Sequence, residues 1–202
     1  MPGLQMVSPF LFGLHLLGAS PAAPVDVVSL FNRGAAWEQF LKAAHRQSEL
    51  WQKNALAAEI PPDLIARLRR IRSGLRMLVV TEDWCSDSVY TIPYIAKLTE
   101  RVGIELRIVD RVVGGLLLNQ HRTPDQRIAT PLVVWIRDGH DAGAWVERPT
   151  ALQNWFVAMR NAHDKERLAR KEEWYRQDRG QSTLAEIVAL AERVPTGVAV
   201  SK

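Results

Sequence analysis

The sequence predicts an α/β protein in which helices flank a central mixed β-sheet, and three observations lead to this class. An apolar run at residues 76–81 is typical of a buried strand, and an amphipathic segment with helical periodicity follows it at residues 86–101. Residues 104–110 alternate between apolar and polar side chains, as a second strand does. Two short apolar runs at 132–136 and 144–148 enclose a glycine-containing turn, which indicates a β-hairpin.

Length and composition limit the classes of function. The 202 residues suffice for one domain with extensions, and 47% hydrophobic with 24% charged residues is typical of a soluble globular protein. The 26 Lys and Arg against 22 Asp and Glu give a net charge of +4, which is too small an excess to indicate nucleic-acid binding. The chain has no apolar run of the roughly 20 residues that a bilayer requires. We therefore predict neither a nucleic-acid nor a membrane partner.

The N-terminal residues 1–24 resemble part of a signal peptide. Residues 9–19 have the length of its apolar region, and small residues follow at 20–23. No Lys or Arg precedes them, so the positively charged part of a signal peptide is missing. We therefore expect a cytoplasmic protein whose first 24 residues are either poorly ordered or packed on the rest of the chain. A cleaved signal, with a periplasmic or secreted protein, is the alternative.

A helical extension is predicted at residues 25–74. Helical periodicity begins at about Ser29 and continues as one apolar stripe to Ala57, before two consecutive prolines, Pro61 and Pro62, end the element. A second helix then starts near Asp63. Its arginines are interpreted as a solvated face rather than an anion-binding patch; they are Arg67, Arg69, Arg70, Arg72 and Arg76.

The sheet-forming part is predicted at residues 75–160 and a C-terminal helical extension at 161–202. We expect Pro93 to kink the helix at 86–101, one or two helical turns at 112–121, and a loop at 122–130. A helix follows the hairpin, with apolar residues at 152, 155, 156 and 159. The highly charged residues 160–180 read as an exposed extension of that helix, and residues 183–194 as a last amphipathic helix.

Cys85, the only cysteine of the sequence, lies where the first strand passes into a helix. A single cysteine excludes an intramolecular disulfide and a cysteine-rich zinc site. A helix N-terminus favours the reactive thiolate, whereas the nearby carboxylates of Glu82, Asp83 and Asp87 oppose it. The alternative is an inert thiol that packs as a small hydrophobic side chain.

Four features around Cys85 occur in the order and at the spacing of a known superfamily. Residues 84–88, Trp-Cys-Ser-Asp-Ser, resemble its W-C-x-x-C corner, and Pro93 lies where the following helix is kinked. Thr130-Pro131 resembles its cis-proline element, and residues 137–139 resemble its hairpin turn. The chain thus resembles the thioredoxin-like superfamily, and more narrowly its bacterial proteins with a W-C-[GS]-D-[CS] corner and a helical N-terminal extension.

The resemblance implies a thioredoxin-like fold with Cys85 as nucleophile. Ser88 stands where the second cysteine would be; a serine hydroxyl cannot resolve a mixed disulfide at neutral pH, although it can donate a hydrogen bond to the Cys85 thiolate. A buried aspartate that many thioredoxins carry is replaced by Val79. A complete dithiol cycle within this chain is therefore excluded. An external thiol such as glutathione must then finish the reaction, or Cys85 stops as a mixed disulfide or sulfenic acid.

The same resemblance implies a substrate surface made by Trp84, Thr130 and Pro131. If the Thr130–Pro131 bond is cis, the Thr130 backbone lies against Cys85 and can bind an extended peptide or glutathione. The alternative is a trans proline that begins an edge strand.

We therefore predict a monothiol thiol-disulfide oxidoreductase whose partner is a thiol- or disulfide-containing protein or glutathione. It needs no resident cofactor, with glutathione acting as a co-substrate. The scattered histidines His121, His140 and His163 predict no metal site. One alternative is a redox-inactive thioredoxin-like module that binds peptides. Another is a monothiol glutaredoxin, although the Gly-Phe and the preceding lysine of that group are absent.

Overall fold

The computed structural model describes residues 25–195, and the predicted segment 1–24 lies outside the described residues. Within this range four strands form one sheet in the order β2-β1-β3-β4. The inner strand β1 is parallel to β2 and antiparallel to β3, and β3 is antiparallel to β4. The strands are β1 Leu75–Val80, β2 Leu106–Val109, β3 Leu132–Arg137 and β4 His140–Val146. The predicted mixed sheet is confirmed.

Helices cover both faces of the sheet, as predicted. Successive side chains of β1 and β3 point to opposite faces. Met77 and Trp135 pack with α3, α4, α5 and α9, whereas Leu78 and Val134 pack with α1 and α6. The described helices are α1 Val27–Arg33, α2 Trp37–Ala43, α3 Ser48–Ala57, α4 Pro62–Ile71, α5 Ser88–Val102, α6 Gly115–Gln120, α7 Thr150–Ala158, α8 Asp164–Asp178 and α9 Gln181–Arg193. None of these is long and apolar enough to cross a membrane.

Three helices, α1, α2 and α3, form the part of the N-terminal extension in which the periodicity predicted one continuous stripe from Ser29 to Ala57. Between α1 and α2, Ala35 pairs with Ile108 through two backbone hydrogen bonds of 2.8 Å and so covers the free edge of β2. Between α2 and α3, Ala44 is extended and Gln47, the residue before α3, has a left-handed φ of 56°. Both breaks serve contacts with distant parts of the chain, which is why the local pattern misses them.

The β-hairpin is tighter than predicted. The sequence placed a loop at residues 137–143, but β3 runs to Arg137 and β4 begins at His140. Asp138 and Gly139 form the connection with φ values of 51° and 81°, and two positive φ values are the signature of a type I′ turn.

Proline lies inside α5 without ending it. Pro93 has no N–H, so the Val89 carbonyl four residues earlier lacks its helical donor. The side-chain amide of Asn54, from α3, donates to that carbonyl over 2.7 Å. A side chain of the N-terminal extension thus completes the hydrogen bonding of the central helix.

The charged region after the hairpin differs from the prediction of an exposed helical extension. The helix α7 ends at Ala158, and the separate helix α8 begins at Asp164. Although most of α8 is exposed, its Lys171 and Tyr175 are buried. These two side chains bind a carboxylate beside Cys85. Because α8 packs through polar groups, its hydropathy pattern does not indicate that it is packed against the fold.

Candidate active site

Cys85 lies in the turn that joins β1 to α5. Its backbone N–H donates to the Glu82 carbonyl over 3.1 Å, and its own carbonyl accepts from the Val89 N–H over 3.1 Å. The second bond connects the turn to the helix, which begins three residues after the cysteine at Ser88. The sequence motif therefore places the thiol just before a helix N-terminus. The cysteine is only 6% exposed.

The fold brings Thr130 and Pro131 to this thiol from 45 residues further along the chain. Cys85 Sγ donates to the Thr130 carbonyl over 3.2 Å. The Thr130–Pro131 peptide bond is cis. Next to the cysteine, Trp84 is 49% exposed, whereas Thr130 and Pro131 are buried. An exposed aromatic ring and a main-chain segment thus flank a nearly buried sulfur.

Ser88 contacts a different group from the one we expected. Its hydroxyl is fully buried and forms a hydrogen bond of 2.5 Å with the Thr81 hydroxyl at the end of β1. Within residues 25–195 no hydrogen bond joins Ser88 to Cys85 Sγ. The expected role of Ser88 as a thiolate donor therefore has no counterpart in this geometry. The hydroxyl instead ties the strand to the helix.

Two of the three carboxylates at the corner bind backbone groups. Glu82 accepts from the Arg111 N–H over 3.0 Å. Asp83 accepts from the N–H groups of His45 and Arg46, over 2.9 and 3.0 Å, at the break between α2 and α3. These acids hold the N-terminal extension and the segment after β2 against the corner. Their charges are thereby partly compensated by hydrogen bonds.

The third carboxylate, Asp87, is the centre of a buried polar network. One of its oxygens accepts from the Tyr175 hydroxyl over 2.8 Å. The other accepts from Lys171 Nζ over 3.1 Å and from an Arg148 guanidinium nitrogen over 3.2 Å. Lys171 Nζ also donates to the Ser86 hydroxyl over 2.7 Å. Asp87 is 6% exposed, so both of its cations are needed to compensate its burial.

Glu147 adds a second anion to this network. Arg148 donates to Glu147 as well as to Asp87, and Arg127 binds both oxygens of Glu147 over 3.2 and 2.7 Å. The hydrogen bonds to Glu147 raise the pKa of Arg127, so it stays charged. The Arg148 guanidinium also lies 4.1 Å from the centre of the Phe156 ring. The loop before β3 and the segment after β4 are thus joined to the Cys85 corner by a series of ion pairs in which positive and negative side chains alternate.

Tyr175 shares the electrostatic environment of the cysteine. Burial raises its pKa well above the usual value, and the charge and hydrogen bond of Asp87 raise it further. The charge of Arg148 lowers the Tyr175 pKa, and a charge on Cys85 would raise it. The hydroxyl therefore remains a donor to Asp87 throughout the neutral pH range.

The sequence predicted that Cys85, Trp84, Thr130 and Pro131 belong to one site. It did not indicate Lys171 or Tyr175. The sequence carries only a weak signal for these two residues. They occur in a helix with many exposed charged residues, and their spacing of four places them on one face. Only the fold pairs that face with Asp87, which lies more than 80 residues earlier.

A cleft of about 590 Å³ lies beside the corner, at the carboxyl ends of β1 and β2. It is lined by α2 residues such as Phe40 and by the acids Glu82, Asp83 and Asp110, with Arg33 at its side. Within residues 25–195 no group of three or more His, Cys, Asp or Glu side chains could hold a metal ion.

The protein is of the thioredoxin-like class. This class is defined here by the central mixed sheet, the thiol before the helix α5 and the cis-proline segment that contacts this thiol. A family model described as thioredoxin matches residues 34–174. The chain therefore belongs to the thioredoxin family.

Two solved structures have the same fold. A protein of unknown function from Pseudomonas aeruginosa, PA1234, has a TM-score of 0.65 and 22% identity, and the match covers 83% of this chain and 98% of that one. An HIV epitope-scaffold has a TM-score of 0.64 and 22% identity, with the same shares covered. No curated protein matches the chain. At this level of identity the neighbours support the fold alone.

Proposed function

We propose that this protein is a monothiol thiol-disulfide oxidoreductase in which Cys85 exchanges disulfides with the help of glutathione. The observation that carries the proposal is the position of the Cys85 sulfur, 3.2 Å from the Thr130 carbonyl and directly before the helix α5. This arrangement sets a nucleophile beside a main-chain segment on which a peptide or glutathione can lie. The neighbouring Trp84, half exposed, supplies an apolar contact surface.

The proposed reaction has two exchange steps. The Cys85 thiolate attacks the glutathione sulfur of a glutathionylated thiol; the new bond joins Cys85 to glutathione, and the released substrate thiolate takes up a proton. A second glutathione, as thiolate, then attacks the glutathione sulfur of this mixed disulfide. Oxidised glutathione leaves and Cys85 is regenerated, so each turnover consumes one reduced glutathione and transfers the disulfide bond from the substrate to glutathione. Ser88 cannot perform the second step, which is why an external thiol is required.

Turnover of a glutathionylated peptide by reduced glutathione tests this function. We expect the wild-type protein to accelerate release of the peptide thiol and Cys85→Ser to reduce the rate to that of the uncatalysed reaction. Thermal unfolding of both proteins controls for folding. Equal rates with wild-type protein, with Cys85→Ser and without protein would overturn the proposal.

A redox-inactive peptide-binding module is the second candidate, and the burial of Cys85 favours it. A sulfur that is 6% exposed and donates a hydrogen bond to the Thr130 carbonyl offers little surface for attack on a disulfide. On this hypothesis the protein binds an extended peptide at Trp84 and Thr130 but catalyses no disulfide exchange. Peptide binding that is equal for wild-type protein and Cys85→Ser, without catalysis, is the outcome that it predicts.

A further inference from the structure

The helix α8 places an ammonium group beside the corner that holds Cys85. Lys171 is 2% exposed, and its Nζ donates to Ser86 Oγ over 2.7 Å and to Asp87 over 3.1 Å. Ser86 and Asp87 are the two residues that follow the cysteine. The remaining face of the ammonium points towards the Phe156 ring, 6.0 Å from its centre. Lys171 is therefore a buried cation whose polar contacts lie within the Cys85 turn.

The charged groups that hydrogen bonds and ion pairs connect to the Cys85 turn come from four parts of the chain. At the corner Glu82 and Asp83 are bound to backbone N–H groups, which leaves Asp87 as the acid that depends on side-chain cations. The loop before β3 contributes an arginine, and the end of the hairpin contributes a glutamate and an arginine. The helix α8 contributes a lysine and a tyrosine. These groups are Arg127, Glu147, Arg148, Lys171 and Tyr175.

Compensation of the buried Asp87 carboxylate does not by itself explain why a buried ion pair lies beside Cys85. Burial of an ion pair removes two charges from water, and well-packed apolar residues of similar volume are often equally stable or more stable at such a position. An acid two residues from a nucleophilic thiol also opposes the thiolate. A cation that binds this acid offsets its effect on the thiolate. Because the cation is buried, water does not screen its charge.

We propose that Lys171 is a positioning residue for Cys85, because it neutralises Asp87 and holds Ser86 so that the cysteine can ionise. The inference deepens the proposed function, since it concerns the same thiol. It assigns the charged C-terminal helix to the active site, and it makes the thiolate depend on a residue 86 positions away from the cysteine.

The rate at which iodoacetamide alkylates Cys85, the single cysteine, measures the thiolate fraction directly. The rate at pH 7 divided by the limiting rate at high pH gives this fraction for each variant. We expect Lys171→Met to lower the fraction about tenfold, since a nearby carboxylate that has lost its cation shifts the ionisation of a thiol by about one pH unit. We expect Asp87→Asn to raise it and the double variant to return it to near the wild-type value.

Opposite shifts are the result that a merely structural role does not produce, because loosening the turn from either side should change the fraction in the same direction. Lys165→Met, on the exposed start of the same helix, is the matched control and should leave the fraction unchanged. Where Lys171→Met fails to fold, Asp87→Asn and the double variant decide. Shifts in the same direction, or no shift, would overturn the inference.

This experiment is independent of turnover. If the wild-type protein fails to reduce a glutathionylated peptide while the variants shift the thiolate fraction in opposite directions, the proposed function is wrong and the role of Lys171 stands. If turnover occurs but the fraction does not respond to Lys171→Met and Asp87→Asn, the role of Lys171 is wrong and the proposed function stands.

Discussion

Asp87 is the residue on which the corner around Cys85 depends most. A carboxylate that is almost fully buried is costly unless charged and polar groups bind it. Here a phenol, an ammonium and a guanidinium do so, and each comes from a different turn or segment of the C-terminal third of the chain. A residue that lies two positions after the cysteine therefore also fixes the position of the helix α8.

Replacement of Tyr175 by phenylalanine tests this anchoring at a single hydroxyl. We expect Tyr175→Phe to lower the free energy of unfolding by about 1.5–3 kcal/mol, the usual contribution of a hydrogen bond to a charged group. Urea denaturation followed by tryptophan fluorescence measures the change.

Tyr90→Phe is the control for this substitution. The Tyr90 ring stacks on that of Tyr175, with 5.1 Å between the ring centres, and both substitutions keep the two rings. No hydrogen bond of the Tyr90 hydroxyl is present among the described residues. We expect a change within about 0.5 kcal/mol for this variant, and equal losses for the two variants would contradict the role of the Tyr175–Asp87 hydrogen bond.

At the scale of elements, α3 and α5 are joined by a bond that compensates for a proline. Pro93 leaves the Val89 carbonyl without its helical donor, and the Asn54 amide takes the place of that donor. Because both groups are buried, loss of the amide leaves an unsatisfied carbonyl. The bond is thus a reason for the N-terminal extension to pack on the sheet-forming part of the chain.

A double-mutant cycle tests this compensation. We expect Asn54→Ala to lower the free energy of unfolding by about 1–3 kcal/mol. In a Pro93→Ala background the loss should be smaller, because the backbone N–H at position 93 can then donate to Val89. Chemical denaturation of the wild-type protein, the two single variants and the double variant gives the coupling free energy between Asn54 and Pro93.

Asn119→Ala is the matched control for this cycle, since the Asn119 amide also donates to a helical carbonyl but in an exposed position. It should change stability by no more than about 0.5 kcal/mol. An Asn54→Ala loss that is the same with and without Pro93 would show that the amide does not replace the missing donor.

At the scale of the whole molecule, the free energy of unfolding should respond to acid through Asp141. Burial raises the pKa of Asp141. The hydrogen bond and charge of His121, together with the hydrogen bond from the Gly143 N–H, lower it, and the net pKa lies below its usual value. A folded-state pKa below the unfolded-state value means that the contribution is fully present above the unfolded-state value, near 4. It is lost as the pH falls through the folded-state pKa.

Urea denaturation at a series of pH values measures this contribution. The stability difference between the wild-type protein and Asp141→Asn should be largest near pH 5 and should shrink towards pH 2.5. Asp164→Asn, where the carboxylate is 83% exposed, should show a much weaker pH dependence. A difference between wild type and Asp141→Asn that stays constant over this range would contradict the linkage.

The sequence was sufficient for the sheet, the helix after Cys85 and the approach of Thr130, because apolar periodicity and short motifs carry that information. Three features depended on long-range contacts and were not predictable in the same way. The breaks at Ala35 and Gln47 follow from contacts with β2 and Asp83. The docking of α8 follows from polar groups that a hydropathy pattern assigns to solvent.

The central claim, that Cys85 exchanges disulfides as a single thiol, is tested most directly by the mass of the intact protein after it reacts with a glutathionylated peptide. We expect the wild-type protein to gain one glutathionyl group at Cys85 and to lose it when reduced glutathione is added, whereas Cys85→Ser should gain none. Wild-type protein that remains unmodified, or an adduct that glutathione does not release, would contradict it.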